Sequence, residues 1–117
     1  MARTNSNMKK ILLILSIILG CALGSEAKLN VVTTLPDYGA LAREIGGDKV
    51  EVTTMAKPTE DPHFVDARPS FVVQLRTADV LIEGGAEVEI GWLPPLLQNA
   101  RNPKIEVGKP GRVVASR

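Results

Sequence analysis

Residues 28–117 predict an α/β domain, a parallel four-stranded sheet flanked by helices. Three observations carry that expectation. Runs rich in β-branched residues alternate with segments of 3.6-residue periodicity. The spacers between those runs are long enough to hold a crossover helix, the usual link between parallel strands. Val31-Val32 and Val80-Leu81-Ile82 are continuous apolar runs, as suits strands covered on both faces.

The elements follow in order. Leu29 to Thr34 is β-branched and apolar and reads as the first strand. Pro36 suits a first helical turn, and Tyr38, Leu41, Ala42 and Ile45 then recur at i, i+3, i+4 and i+7, the spacing of one helical face. Gly46-Gly47 ends that helix, because glycine accepts the left-handed conformation there. Lys49 to Thr54 alternates partly and reads as the second strand. A loop rich in proline and charge runs from Lys57 to Arg68. Pro69-Ser70 opens a second helix, with Ser70 in a capping role and Phe71, Val72, Leu75 and Ala78 on its inner face. Asp79 to Glu83 is a short apolar strand closed by Gly84-Gly85. Trp92 to Ala100 is a third helix, with Pro94 and Pro95 confined to its first turn, since a deeper proline removes a backbone hydrogen bond. Asn102-Pro103 turns the chain into a weak fourth strand, Lys104 to Val107.

Residues 1–27 read as a signal peptide. Arg3, Lys9 and Lys10 supply a positive start, and Ile11 to Leu19 is apolar except for Ser16. A bilayer-spanning helix needs roughly 20 apolar residues, so this run is too short. Ser25-Glu26-Ala27 offers small residues for a peptidase. Cys21 is the sole cysteine, so an internal disulfide is impossible. Ile18-Leu19-Gly20-Cys21 resembles a bacterial lipobox, which makes Cys21 a candidate for lipidation. The alternative is that Cys21 leaves with the leader after cleavage near Ala27. Either route makes the protein exported, periplasmic or lipid-anchored, and a lipid anchor would be its only attachment to the membrane.

Composition excludes several classes. From Lys28 onward there are 11 basic and 12 acidic residues, a net charge of −1, and the basic ones are spread singly. Phosphate backbones are bound by clustered cations that release counterions, so no nucleic-acid partner is indicated. Gly84-Gly85 lacks the spacing of a phosphate-binding loop. Glu83, Glu87 and Glu89 flank it as a solvated acidic loop or as charges that tune a nearby cleft. Trp92 reads as a packing residue at a helix entry. An enzyme is disfavoured: no Gly-x-Ser-x-Gly elbow occurs, and no second histidine is present to act as a base.

The single histidine stands in Glu60-Asp61-Pro62-His63, shortly before Arg68-Pro69-Ser70. Ligands of open parallel sheets bind beyond the carboxyl ends of the strands, and this loop follows the second strand. Taken alone, His63 reads either as a surface-loop imidazole without a partner or as a candidate metal ligand. Pro62 stiffens the loop and lowers the entropy cost of presenting the imidazole. Asp61 reads as a turn-former or as the acceptor of an imidazole N–H. Asp66, three residues on, approaches His63 only if the segment is helical. Zn²⁺ normally takes four ligands, so one imidazole and these carboxylates leave the shell incomplete.

Leu29 to Leu35, Ala42 to Gly47, Asp61-Pro62-His63 and Arg68-Pro69-Ser70 together resemble the N-terminal lobe of bacterial metal-binding solute receptors. Those receptors serve ABC importers for zinc and manganese. Ala78 to Ile82, Gly91-Trp92-Leu93 and Asn102-Pro103-Lys104 continue the resemblance in order. It implies two α/β lobes joined by a rigid helix, with metal held in the cleft as the transported ligand and a membrane permease as partner. His63 matches the family's first metal-binding histidine. The remaining ligands belong to later segments, so residues 28–117 read as a truncated N-terminal lobe with zinc, or manganese as the alternative, for cargo. A rival reading is an exported lobe that acts as an interaction or adhesin-like protein, since some members of the family have been described as adhesins.

Overall fold

A computed structural model describes residues 5–21 and 26–117. Helix α1 spans Ser6–Cys21. At about 1.5 Å per residue, its 16 residues reach about 24 Å, short of the ~30 Å hydrocarbon core of a bilayer. Among the described residues no helix is long and apolar enough to cross a membrane. Ile11, Leu12, Leu13, Ile14, Leu15 and Ile17 are all exposed. Arg3 and Ser25, both used in reading a leader, lie outside the described residues.

The remaining elements are β1 (Leu29–Thr33), α2 (Pro36–Gly46), β2 (Val50–Thr54), α3 (Pro69–Thr77), β3 (Val80–Glu83), α4 (Leu93–Ala100) and β4 (Arg112–Val114). Short 3₁₀ turns cover Gly47–Lys49 and Pro103–Ile105. The strands form one parallel sheet in the order β2-β1-β3-β4. Thr33 pairs with Thr54 on one side and Ile82 on the other, so the carboxyl ends of β1, β2 and β3 share one edge. From β1 the chain steps outward to β2, then crosses back to β3 on the other flank. The gap between the ends of β1 and β3 is thus the topological switch point of the sheet.

Alternation along β1 sends its side chains to two helical layers. Val32 joins Leu81, Phe71, Leu75, Leu93, Leu96 and Ala100 in the main core, which β1 and β3 share with α3 and α4. Val31 and Thr33 face α2, whose buried residues are Gly39 and Ala42. A side chain at Gly39 would collide with the hydroxyl of Thr54, which is hydrogen-bonded to that of Thr33 at 3.0 Å. Glycine thus sets how closely α2 approaches the sheet. Leu41 and Ile45, expected on the inner face, are 57% and 84% exposed. The inner positions are Gly39 and Ala42, three residues apart and small enough for the close approach, and the apolar spacing pointed beside them.

Prolines occupy first turns as expected: Pro36 in α2, Pro69 in α3, and Pro94 with Pro95 in α4. Ser70 does not cap α3; the flanking position is Arg68, extended and without a side-chain cap, and Ser70 lies inside the helix. Gly47 ends α2 with a positive φ of 53°.

The fourth strand is not Lys104–Val107. Pro103–Ile105 forms a 3₁₀ turn, in which the Asn102 side chain accepts a hydrogen bond from the Lys104 amide at 3.0 Å and Ile105 is buried in the main core. The strand comes later, where Leu81, Ile82 and Glu83 pair with Arg112, Val113 and Val114. Gly111 makes this pairing fit: its carbonyl accepts from the Leu81 amide at 2.7 Å, and any side chain there would strike the carbonyls of Lys104 and Asp79.

Candidate metal centre

The loop between β2 and α3 begins at the switch-point edge. The Met55 and Ala56 amides bond to the carbonyls of Thr33 and Thr34 at 2.9 and 3.0 Å, which extends the sheet ladder into the loop. Met55, Ala56 and Val65 are buried and fasten the loop at both ends. Glu60 closes it. One carboxylate oxygen accepts from the Lys57 amide at 2.6 Å and the other meets the Arg68 guanidinium at 3.1 Å. That guanidinium also lies over the Phe71 ring, 5.4 Å from its centroid.

Within this frame Asp61, Pro62 and His63 form a tight turn. Asp61 Oδ1 accepts from the His63 backbone amide at 2.9 Å and lies 3.0 Å from the ring Nδ1 of the same residue. The backbone amide, followed by the imidazole, holds the Asp61 carboxyl below its ordinary value. A carboxylate can only accept, so Nδ1 is the protonated nitrogen and Nε2 of the neutral ring carries the free lone pair. The His63 side chain is 58% exposed, and no hydrogen bond among the described residues involves Nε2. Histidines that bind metal characteristically give their other N–H to such a carboxylate, which fixes tautomer and ring direction.

Asp66 is not brought to His63. Residues 65–68 are not helical, which removes the geometry on which a His-x-x-Asp pair depended. Among the described residues no group of three His, Cys, Asp or Glu side chains is arranged to hold a metal ion. Cys21 is the last residue of α1.

Two of the acidic residues around Gly84-Gly85 are not solvated. Glu89 is only 3% exposed and sits in the switch point itself. Its Oε1 accepts from the Thr34 hydroxyl and the Gly84 amide, each at 2.6 Å, and its Oε2 from the Gly85 amide at 3.1 Å. The carboxylate thus ties the end of β1 to the end of β3. Glu83 pairs with Arg112 at 2.9 Å, and that guanidinium also reaches the Ile105 carbonyl at 2.9 Å. Only Glu87 is exposed in the way a solvated loop requires. Sequence spacing held no sign of Thr34 and Arg112 as partners, which lie 55 and 29 residues away.

Trp92 meets the His63 loop directly. Its indole Nε1 donates to the Pro62 carbonyl at 2.8 Å, and the side chain is buried. A separate groove of about 1180 Å³ opens beside this region, lined by Glu87, Ile90, Leu97, Val107 and Arg112 among others. His63 is not among its lining residues, so the imidazole stands on an open edge and not in that groove.

Comparison with known proteins bears on what such an edge is for. The sequence profile described as "Zinc-uptake complex component A periplasmic" matches residues 31–115. The metal ABC transporter substrate-binding lipoprotein FimA of Streptococcus parasanguinis is 32% identical over 84 residues, covering 69% of this chain and 27% of that protein. The manganese ABC transporter substrate-binding lipoprotein PsaA of Streptococcus pneumoniae is 31% identical over 108 residues, covering 80% and 35% respectively. The structure of TroA, a periplasmic zinc-binding protein from Treponema pallidum, superposes with a TM-score of 0.62 at 25% identity, over 76% of this chain and 29% of that one. The structure of ZnuA gives 0.60 at 25% identity, over 68% and 32%. The chain therefore spans about a third or less of the length of these relatives. By its matched profile, by its sequence relatives and by its superposition on solved structures, the chain belongs to the zinc-uptake component A family of metal ABC transporter substrate-binding proteins.

Proposed function

We propose that this chain is the N-terminal part of the substrate-binding component of a metal ABC importer and that His63 contributes one ligand to the transported ion. The observation that carries the reading is the Asp61–His63 pair. It stands on the carboxyl edge of a parallel sheet with Nδ1 engaged and Nε2 open to solvent. An imidazole so held offers a metal a pre-oriented nitrogen, at about 2.0–2.1 Å for zinc. The other ligands come from sequence outside these 117 residues, in segments that close over this edge. Zinc is the cargo proposed first, because imidazole suits it, and manganese is the alternative, favoured by carboxylate-rich sets. The relatives are named for both ions.

The same reading makes residues 1–27 an export signal, with delivery of the ion to a membrane permease outside the inner membrane. Cys21 is the proposed lipid-attachment site, with cleavage falling just before it and not near Ala27, and the relatives FimA and PsaA are named lipoproteins. Metabolic labelling with a radioactive fatty acid should mark the chain, and Cys21→Ser should abolish the label.

Equilibrium dialysis against zinc tests the site. This chain alone should retain zinc weakly, because one imidazole and water complete only part of a tetrahedral shell. In a longer receptor carrying this segment, His63→Ala should release most of the bound metal. Unchanged retention in that variant would overturn the assignment of His63. Tight one-to-one binding by the short chain would show that its own carboxylates complete the site.

A further inference from the structure

We propose that Trp92 is a positioning residue for the His63 loop, acting from a platform that the buried Glu89 carboxylate builds at the switch point. The proposal deepens the metal-receptor reading above and rests on it for the identity of the cargo. Its own content is mechanical: what holds the imidazole in place.

The platform is the segment from Gly84 to Trp92. Gly85, Ala86 and Glu87 have positive φ values of 73°, 50° and 67° in succession. For residues with a Cβ that conformation is unfavourable, and such strain persists only where the surroundings over-determine it. Glu89 supplies the restraint through Thr34, Gly84 and Gly85. The fit beside it is tight, since a Cβ at Gly84 would lie 3.0 Å from Glu89 Oε1 and 3.2 Å from the Tyr38 hydroxyl, so that either side chain would have to shift.

The platform then hands its position to the loop. The Glu89 carbonyl accepts from the amides of Trp92 at 3.2 Å and Leu93 at 2.9 Å, which starts α4 and orients the indole. Trp92 is 4% exposed, and its Nε1 holds the Pro62 carbonyl at 2.8 Å, one residue before the imidazole. Gly91 lies under the same turn: a Cβ there would come 3.3 Å from the His63 carbonyl oxygen. The Asp61 carboxylate sets which ring nitrogen faces outward, whereas Trp92 sets where the turn stands relative to the sheet. Without the indole bond, residues 61–64 keep only their internal hydrogen bonds and lose their tie to the switch point.

The test is nuclear magnetic resonance of the ¹⁵N-labelled chain, comparing wild type with Trp92→Phe, Gly91→Ala and Leu96→Ala. Trp92→Phe keeps an aromatic ring in the core and deletes the donor. Gly91→Ala presses on the loop backbone from an exposed position without altering the core. Leu96→Ala weakens the same α4 core and leaves the indole bond intact. The amides of His63 and Phe64, which bond to Asp61, should exchange about tenfold faster relative to Leu81 in Trp92→Phe, the scale of one lost hydrogen bond. Gly91→Ala should shift the same two resonances, and Leu96→Ala should leave the ratio of loop to core exchange unchanged. Equal acceleration of loop and core in Trp92→Phe and Leu96→Ala, or unchanged loop exchange in Trp92→Phe with unshifted loop resonances in Gly91→Ala, would overturn the positioning role. Zinc titration of the wild-type chain separates the two readings. Histidine occurs once, so a change in its ring ¹⁵N resonances reports binding at His63 whether or not the exchange contrast appears.

Discussion

Glu89 shows how much one side chain can decide. Its carboxylate is buried with three donors pointed at it, two of them the backbone amides of Gly84 and Gly85. Removing a buried acceptor costs more than the hydrogen bond was worth, because each orphaned donor keeps its desolvation penalty. Glu89→Ala should therefore destabilise the chain by about 2–3 kcal/mol, seen as a lower urea midpoint. Glu89→Gln should cost less, since one oxygen remains to accept. His63 presents the opposite case. It is half-exposed and bonded only within its own turn, so His63→Ala should change unfolding free energy by less than about 0.5 kcal/mol. A loss of metal in that variant without loss of stability is the signature of a ligand; a comparable loss of both would mark a structural residue.

Elements are joined here by polar side chains at their ends. Asn102 is buried, and its amide donates to the carbonyls of Leu75 at 2.8 Å and Ala78 at 2.7 Å at the end of α3, where the Leu75 carbonyl also accepts from the Ala78 amide at 3.4 Å. Asn102→Ala should cost about 1–3 kcal/mol and speed amide exchange first in the last turn of α3. Asp79 joins β1 to the 3₁₀ turn, accepting from the Asn30 amide at 2.9 Å and the Lys104 ammonium at 2.7 Å. The Lys104 ammonium, then the Asn30 amide, hold its carboxyl below the ordinary value of 3.8. A carboxyl depressed by folding stabilises the folded state above its unfolded value, and that contribution is lost as pH falls through the folded one. The stability difference between wild type and Asp79→Asn should accordingly be constant near neutrality and shrink below about pH 4, as acid titration of thermal unfolding would register. A difference that grows with acidity would refute the assignment.

At the scale of the molecule, the main apolar core of the described residues lies on one face of the sheet while α2 covers the other through Gly39 and Ala42. Leu41, Ile45, Phe64, Val73, Ile90, Val107 and Val113 remain exposed. The type and order of elements were readable from residues 28–103, because hydrophobic period, proline at first helical turns and glycine at helix ends act within a few residues of each other. Pro36, Pro69 and Gly47 did what local chemistry requires of them. The loop carrying His63 was readable for the same reason, since a ligand edge follows from parallel strands and the loop follows β2 directly. Packing decided the rest. Strand order, the displacement of the fourth strand to Arg112–Val114, the burial of Glu89 and the bond from Trp92 to Pro62 all depend on partners tens of residues distant. No local pattern distinguishes a glutamate that will stay in water from one that a hydroxyl 55 residues away, with two nearby amides, will take out of it.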